Sequence, residues 1–158
     1  MAIEYGIIFH DVAPVLIEVL QKTVNQNKFE LTLDKDGVGY WLASSKETFL
    51  YIRPVETHPH LKTNILEFSF GLYSYQANWY IRCGADSYGG MLILLAVVKE
   101  LILTYSCDFL CLVNGERIVL RKEHSKVFLN QKFGSWNTKD VQDILSSVSY
   151  ELADYPVV

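Results

Sequence analysis

Asp86-Ser87-Tyr88-Gly89-Gly90-Met91-Leu92-Ile93-Leu94-Leu95-Ala96-Val97-Val98-Lys99-Glu100-Leu101-Ile102 is the stretch on which the fold turns. Asp86 or Ser87 supplies an N-cap oxygen, and Met91, Ile93, Leu94, Leu95, Val97, Val98, Leu101 and Ile102 then cover nearly every side of the helix that follows. A helix that is apolar all round has no face to give to water, so it belongs in the middle of a domain, laid across a sheet.

The rest of the chain supplies that sheet. Downstream, Asp108 to Val113 and Glu116 to Lys122 flank Asn114-Gly115, a pair suited to a hairpin turn because both positions take positive φ. A two-residue loop there would pair Val113 with Glu116, Cys111 with Ile118 and Phe109 with Leu120, leaving Arg117, Val119 and Arg121 on the other face with Leu110 and Leu112. Lys126 to Asn130 adds a third strand. Upstream, Ile3 to Phe9 reads as a strand. Phe29 to Leu33, Val38 to Ala43, Thr48 to Arg53, Ile65 to Tyr75 and Trp79 to Cys83 follow as extended segments, with turn chemistry at Asp34-Lys35-Asp36-Gly37, Ser44-Ser45-Lys46, Pro54 and Gln76-Ala77-Asn78. Between the first two, Val12, Val15, Leu16, Val19 and Leu20 recur at helical spacing, which predicts a helix from about Val12 to Asn25 with Asp11 as its cap and Pro14 in its first turn. Asn137 or Thr138 opens a last helix to about Ser147. The expected fold is α+β: an antiparallel β meander packed against a buried central helix, with N- and C-terminal helices.

Bulk composition agrees. The 158 residues are 50% apolar and 20% charged, far from the balance of a disordered chain and enough for a real core. No linker, repeat or low-complexity tract divides them, so residues 1–158 are read as one domain. Cys83, Cys107 and Cys111 form an odd set without a Cys-x-x-Cys pair, which favours a reducing, cytoplasmic setting over a disulfide framework. Met1-Ala2-Ile3-Glu4-Tyr5 has no basic region and carries its acid too early for a secretory signal, so none is expected. The longest uninterrupted apolar run, Met91 to Val98, is too short for a bilayer, so no membrane association is expected.

The net charge of −4 is unevenly spread: −5 over residues 1–116, +4 over 117–132 and −3 over 133–158. An acidic chain lacks the basic footprint of a general nucleic-acid binder and suits a basic protein partner. The positive stretch, Arg117, Arg121, Lys122, Lys126 and Lys132, reads as a solvated hairpin face.

Candidate chemistry is sparse. His58-Pro59-His60 puts two imidazoles on one side of an extended segment, but no third ligand has metal-site spacing. His10-Asp11 matches part of a metal phosphohydrolase signature without its later His and Asp residues. Cys83 with Asp86 and a histidine could form a nucleophile and base, but nothing in the sequence brings them together and an ordinary thiol is mostly protonated at neutral pH; Gly84, Gly89 and Gly90 lack both Gly-x-Gly-x-x-Gly and the Lys-Ser/Thr of a phosphate loop. Hence no catalytic residue, metal or cofactor is assigned. Aromatics are different: Tyr40, Trp41, Tyr51, Tyr73, Tyr75, Trp79 and Tyr80 fall on both parities of their strands, so they cannot all face one core. Trp79, Tyr75 and Tyr73, beside the Gln76-Ala77-Asn78 turn, together with the acidic Glu67 and Asp86, are the expected partner-binding residues.

The order of a glycine-containing turn (Asp86 to Gly90), a long apolar helix and the Asp108 to Arg121 hairpin resembles the small cytoplasmic immunity proteins of bacterial polymorphic and contact-dependent toxin systems. The likeness covers residues 86–130. It implies a non-catalytic inhibitor that binds and neutralises one cognate toxin domain, and it transfers no particular residue. A secretion-type chaperone holding an effector is the alternative, and a small hydrolase or transferase a more remote one. Whether the chain is a monomer or a dimer is left open by the sequence.

Overall fold

The computed structural model describes residues 3–10, 12–55, 77–115, 117–134 and 136–155. In chain order these form β1 (Glu4–Phe9), α1 (Leu16–Gln26), β2 (Glu30–Leu33), β3 (Tyr40–Ala43), β4 (Phe49–Val55), β5 (Ala77–Cys83), α2 (Ser87–Thr104), β6 (Phe109–Val113), β7 (Arg117–Glu123), β8 (Lys126–Asn130), a 3-10 turn (Gln131–Phe133), α3 (Lys139–Ile144) and β9 (Glu151–Ala153). The strands make one sheet in the order β2-β3-β4-β5-β1-β6-β7-β8-β9. Every pairing is antiparallel except that of β8 with β9. The fold is α+β, with α2 packed on the sheet between α1 and α3.

α2 is the expected buried helix. Asp86 caps it by accepting the Gly89 N–H at 2.9 Å, and Leu94, Val97, Val98 and Leu101 are fully buried. Its 18 residues include Lys99 and Glu100 and are long and apolar enough to cross a membrane by length and composition; more than half of those residues are buried in the protein. α1 starts later than the periodicity implies. Its N-cap is Val15, with no side-chain cap, and Val12 and Val15 are exposed upstream of the Leu16, Val19, Leu20 and Thr23 stripe that is buried. Pro14 therefore precedes the helix, consistent with the extended conformation that proline imposes on the residue before it.

β1 lies in the middle of the sheet and is covered on both faces. Tyr5, Ile7 and Phe9 join the main core under the helices. Ile8 joins a smaller cluster on the opposite face with Leu110, Leu112 and Ile118, closed by Tyr155, which follows β9. The β9 strand was not evident in the sequence.

The hairpin differs from its expected register. Asn114 and Gly115 do take positive φ (52° and 68°), but Val113 pairs with Arg117 rather than Glu116, and a bulge separates the Leu112–Ile118 pair from Cys111–Leu120. A bulge sets two residues against one and turns both to one side. Val119 and Leu120 accordingly both enter the main core, and Arg117 lies over the Phe133 ring at 5.6 Å instead of beside Leu110. The basic stretch is therefore not uniformly solvated. Lys122 is buried and donates to the Cys107 carbonyl at 2.7 Å, and Arg121 pairs with Glu123.

Candidate functional site

Strand parity sorts the aromatic residues. Even-numbered β1 residues and odd-numbered β3 and β4 residues point away from the helices. Register then aligns Thr32, Trp41, Tyr51, Arg82 and Glu4 in one straight row across β2, β3, β4, β5 and β1. Arg53 and Tyr80 pair in the next row. This open face carries the site.

Trp41 is its ridge and is 37% exposed. Its ring lies 4.9 Å from that of Tyr51 and 5.5 Å, edge to face, from that of Phe49. The Asp34–Gly37 turn holds both polar tips. The Trp41 indole N–H donates to Asp34 Oδ1 at 3.2 Å, and the Tyr51 hydroxyl donates to Asp36 Oδ2 at 3.2 Å. Asp36 is itself fixed by the backbone N–H groups of Val38 (2.8 Å) and Gly39 (3.1 Å), which hold its carboxyl below the ordinary aspartate value. Burial, and then the Asp36 charge, push the Tyr51 phenol above its ordinary value.

Two glycines make room for the rings. A Cβ on Gly39 would stand 2.3 Å from the Tyr51 hydroxyl oxygen, and one on Gly84 would stand 2.6 Å from the Phe49 ring. Tyr51 and Phe49 thus lie against bare backbone, and a cleft of about 780 Å³ opens beside them, lined also by Ile3, Trp41 and Arg82. A second groove of about 580 Å³ lies on the other side of Trp41, rimmed by Lys28, Glu30 and Lys46. Trp41 and Phe49 are walls of both.

The charged groups are of mixed sign. Arg82 is exposed and has no hydrogen bond or ion pair among the described residues. Arg53 lies over the Tyr80 ring at 5.9 Å, and the Tyr80 hydroxyl donates to Glu4. Burial and that carboxylate push the Tyr80 phenol up to about 12.

The residues expected to bind a partner fare differently. Trp79 is corrected: it is 1% exposed, points to the helix side and packs edge to face on Phe9 at 4.7 Å. The reason is that Ala77 and Asn78 are already strand, paired with Phe9 and Ile8, so Trp79 is an inward strand position and not a turn neighbour. Asp86 accepts from the Thr48 hydroxyl at 2.6 Å as well as from Gly89, so its carboxylate is engaged in joining the β3–β4 loop to α2. Tyr75, Tyr73 and Glu67 lie outside the described residues, as do His58, His60 and Asp11. Trp41 and Tyr51 stood among the sequence's aromatics, but Arg82 and Phe49 acquire meaning only from register and from the cleared backbone at Gly84.

The thiols are packed. Burial, reinforced by the nearby Asp86 charge, pushes Cys83 up to about 12, and burial pushes Cys107 and Cys111 up as well. Asp86 thus opposes the Cys83 thiolate. The His10 backbone N–H donates to the Asp108 carbonyl at 3.1 Å. Among the described residues no three His, Cys, Asp or Glu side chains are grouped to hold a metal ion. Comparison of the chain with protein-family models, with curated proteins and with solved structures finds no match.

Proposed function

We propose that the protein is a non-catalytic binding protein of the immunity type, which neutralises a cognate toxin domain, and that it does so through the aromatic row of the open sheet face. The observation that carries the reading is the built exposure of Trp41. The indole is braced by Tyr51, Phe49 and Asp34, its neighbours are given room by two glycines, and yet it stands between two grooves. Rigid, partly exposed aromatics with a braced geometry lose little entropy when a partner covers them and dominate interface energetics. Arg82 gives this surface a place for one acidic group of the partner. The acidic remainder of the chain, outside residues 117–132, would draw a basic partner in from a distance.

The test uses the product of the adjacent gene as ligand. Trp41→Ala and Tyr51→Ala are each expected to raise its off-rate about thirtyfold, the equivalent of about 2 kcal/mol. Added salt should slow association and leave dissociation nearly unchanged, since steering acts on the encounter. No binding at micromolar concentration overturns the proposal.

A further inference from the structure

Among the described residues the sheet ends at β2, and the ladder fixes which backbone groups face outward there. Asp34 N–H donates to the Gly39 carbonyl at 2.8 Å, which makes Asp34 and Gly39 a hydrogen-bonded pair continuing the β2–β3 ladder. Hydrogen-bonded and non-bonded pairs alternate along an antiparallel ladder. Thr32 and Glu30 therefore spend their amides and carbonyls on β3, while those of Leu31 and Leu33 point outward. Among the described residues nothing pairs with this outer side. Leu33 is 56% exposed. Edges are usually blunted by shortness, charge, proline or a bulge; β2 is four residues long and carries Glu30, but it has no proline and no bulge.

We infer that β2 pairs with β2 of a second copy of this chain, antiparallel and centred on Leu31. The side chains select this occupant and this register. With Leu31 opposite Leu31 of the second copy, Leu33 meets Phe29, Thr32 meets Glu30, and Asp34 meets Lys28. Every apolar residue then has an apolar neighbour, and both ends of the seam carry opposite charges. Moving the centre to Thr32 sets Glu30 against Asp34 twice, a like-charge opposition that disfavours it. Phe29, Leu31 and Leu33 each exchange amide and carbonyl with the second copy, so the pairing uses the outward groups that no described residue meets.

A two-fold axis of this kind runs perpendicular to the sheet and keeps both open faces on one side. Each Trp41 stands one strand in from the seam, so the two ridges lie three strand spacings apart across the strands, about 14 Å. The pairing rests on the edge alone and holds whatever the aromatic row binds. Its contact is short beside a standard interface, so dimerisation is expected to be weak, roughly micromolar to millimolar.

Sedimentation of the full chain across that concentration range tests it. Wild type should pass from monomer to dimer. Leu33→Pro removes an outward N–H without touching the β2–β3 ladder, and should leave a monomer with an unchanged circular dichroism spectrum. Lys28→Glu should weaken the dimer about threefold to tenfold. If Leu33→Pro fails to fold, cross-linking decides. Leu31→Cys should form an intermolecular disulfide under mild oxidation, since a hydrogen-bonded pair holds its Cα atoms about 5.5 Å apart, within disulfide reach. A chain that stays monomeric throughout, a dimer indifferent to Leu33→Pro, or cross-linking at Thr32→Cys in place of Leu31→Cys overturns the inference.

Discussion

Two tryptophans on opposite faces of one sheet divide the molecule's work between them. Trp79 on β5 is 1% exposed and fills the space between Phe9 and the helices; Trp41, two strands away on β3, is 37% exposed and braced by rings and a carboxylate. The helix-covered face around Trp79 is built from Ile7, Phe9, Ile81, Leu50 and Ile52, all fully buried, whereas the face around Trp41 carries Arg53, Arg82 and Glu4. The residue type is the same and the parity differs. On one face an aromatic fills the core, and on the other the fold braces an aromatic that stays partly exposed.

The largest effect should come from the covered face. Leu94→Asp or Val98→Asp places an unpaired charge at a fully buried position of α2, at a cost of several kcal/mol against a total stability of about 5–15 kcal/mol. Neither variant should give soluble protein with a cooperative thermal transition. Either one doing so would show that the helix side is not the structural half.

Next comes the direct contrast of the two tryptophans. Trp79→Ala should cost about 3–5 kcal/mol in urea unfolding, as large-to-small changes in a filled core do. Trp41→Ala should cost under about 1 kcal/mol of stability and show its effect in binding instead. Similar unfolding losses for the two would erase the distinction between the faces.

Smaller again is the effect of refilling the cleared backbone. Gly84→Ala or Gly39→Ala forces the Phe49 or Tyr51 ring to shift, an overpacking worth about 1–3 kcal/mol. The same variants should disturb the near-ultraviolet circular dichroism of the aromatic row. An unchanged spectrum with unchanged stability would mean that the rings have room to spare, and that the exposure of Trp41 is not built.

How far the sequence alone reaches follows from the same parity. The all-round apolar pattern of α2 and the Asp86 cap are local properties, and both are present in the structure. Of the meander, β2, β3 and β4 lie where alternation and the turns at Asp34 to Gly37 and Ser44 to Lys46 put them, while its expected Ile65 to Tyr75 strand lies outside the described residues. Trp79 was misplaced because Gln76-Ala77-Asn78 has turn composition, while β1 recruits Ala77 and Asn78 as strand, and recruitment by a distant strand leaves no local mark. The hairpin register slipped for a related reason: the bulge after Cys111 answers to core packing of both Val119 and Leu120, not to Asn114-Gly115. β9 is three residues paired in parallel with β8, too short for any period to show. Of the candidate site, the aromatic types were visible, and their alignment with Arg82 was not, because it requires the registers of two successive strand pairs, β3–β4 and β4–β5.

The smallest expected effect sits where the two faces join, at Asp86. Its carboxylate is held below the ordinary aspartate value of 3.8, first by the Thr48 hydroxyl and then by the Gly89 N–H. A carboxyl depressed in the folded state contributes stability above its unfolded value, and that contribution is lost as pH falls through the lowered folded value. Thermal stability should therefore decline as pH is taken below 3.8, and Asp86→Asn should shrink that decline. Asparagine is an N-cap of comparable quality and keeps an acceptor for Gly89, so the variant isolates the charge from the cap. At neutral pH it should be only slightly less stable than wild type, because a charged acceptor at a helix N-terminus is favoured over a neutral one. Measured melts that fall in parallel for the two proteins from neutral pH downward would show that other carboxylates, and not the one tying the β3–β4 loop to α2, govern the acid limb.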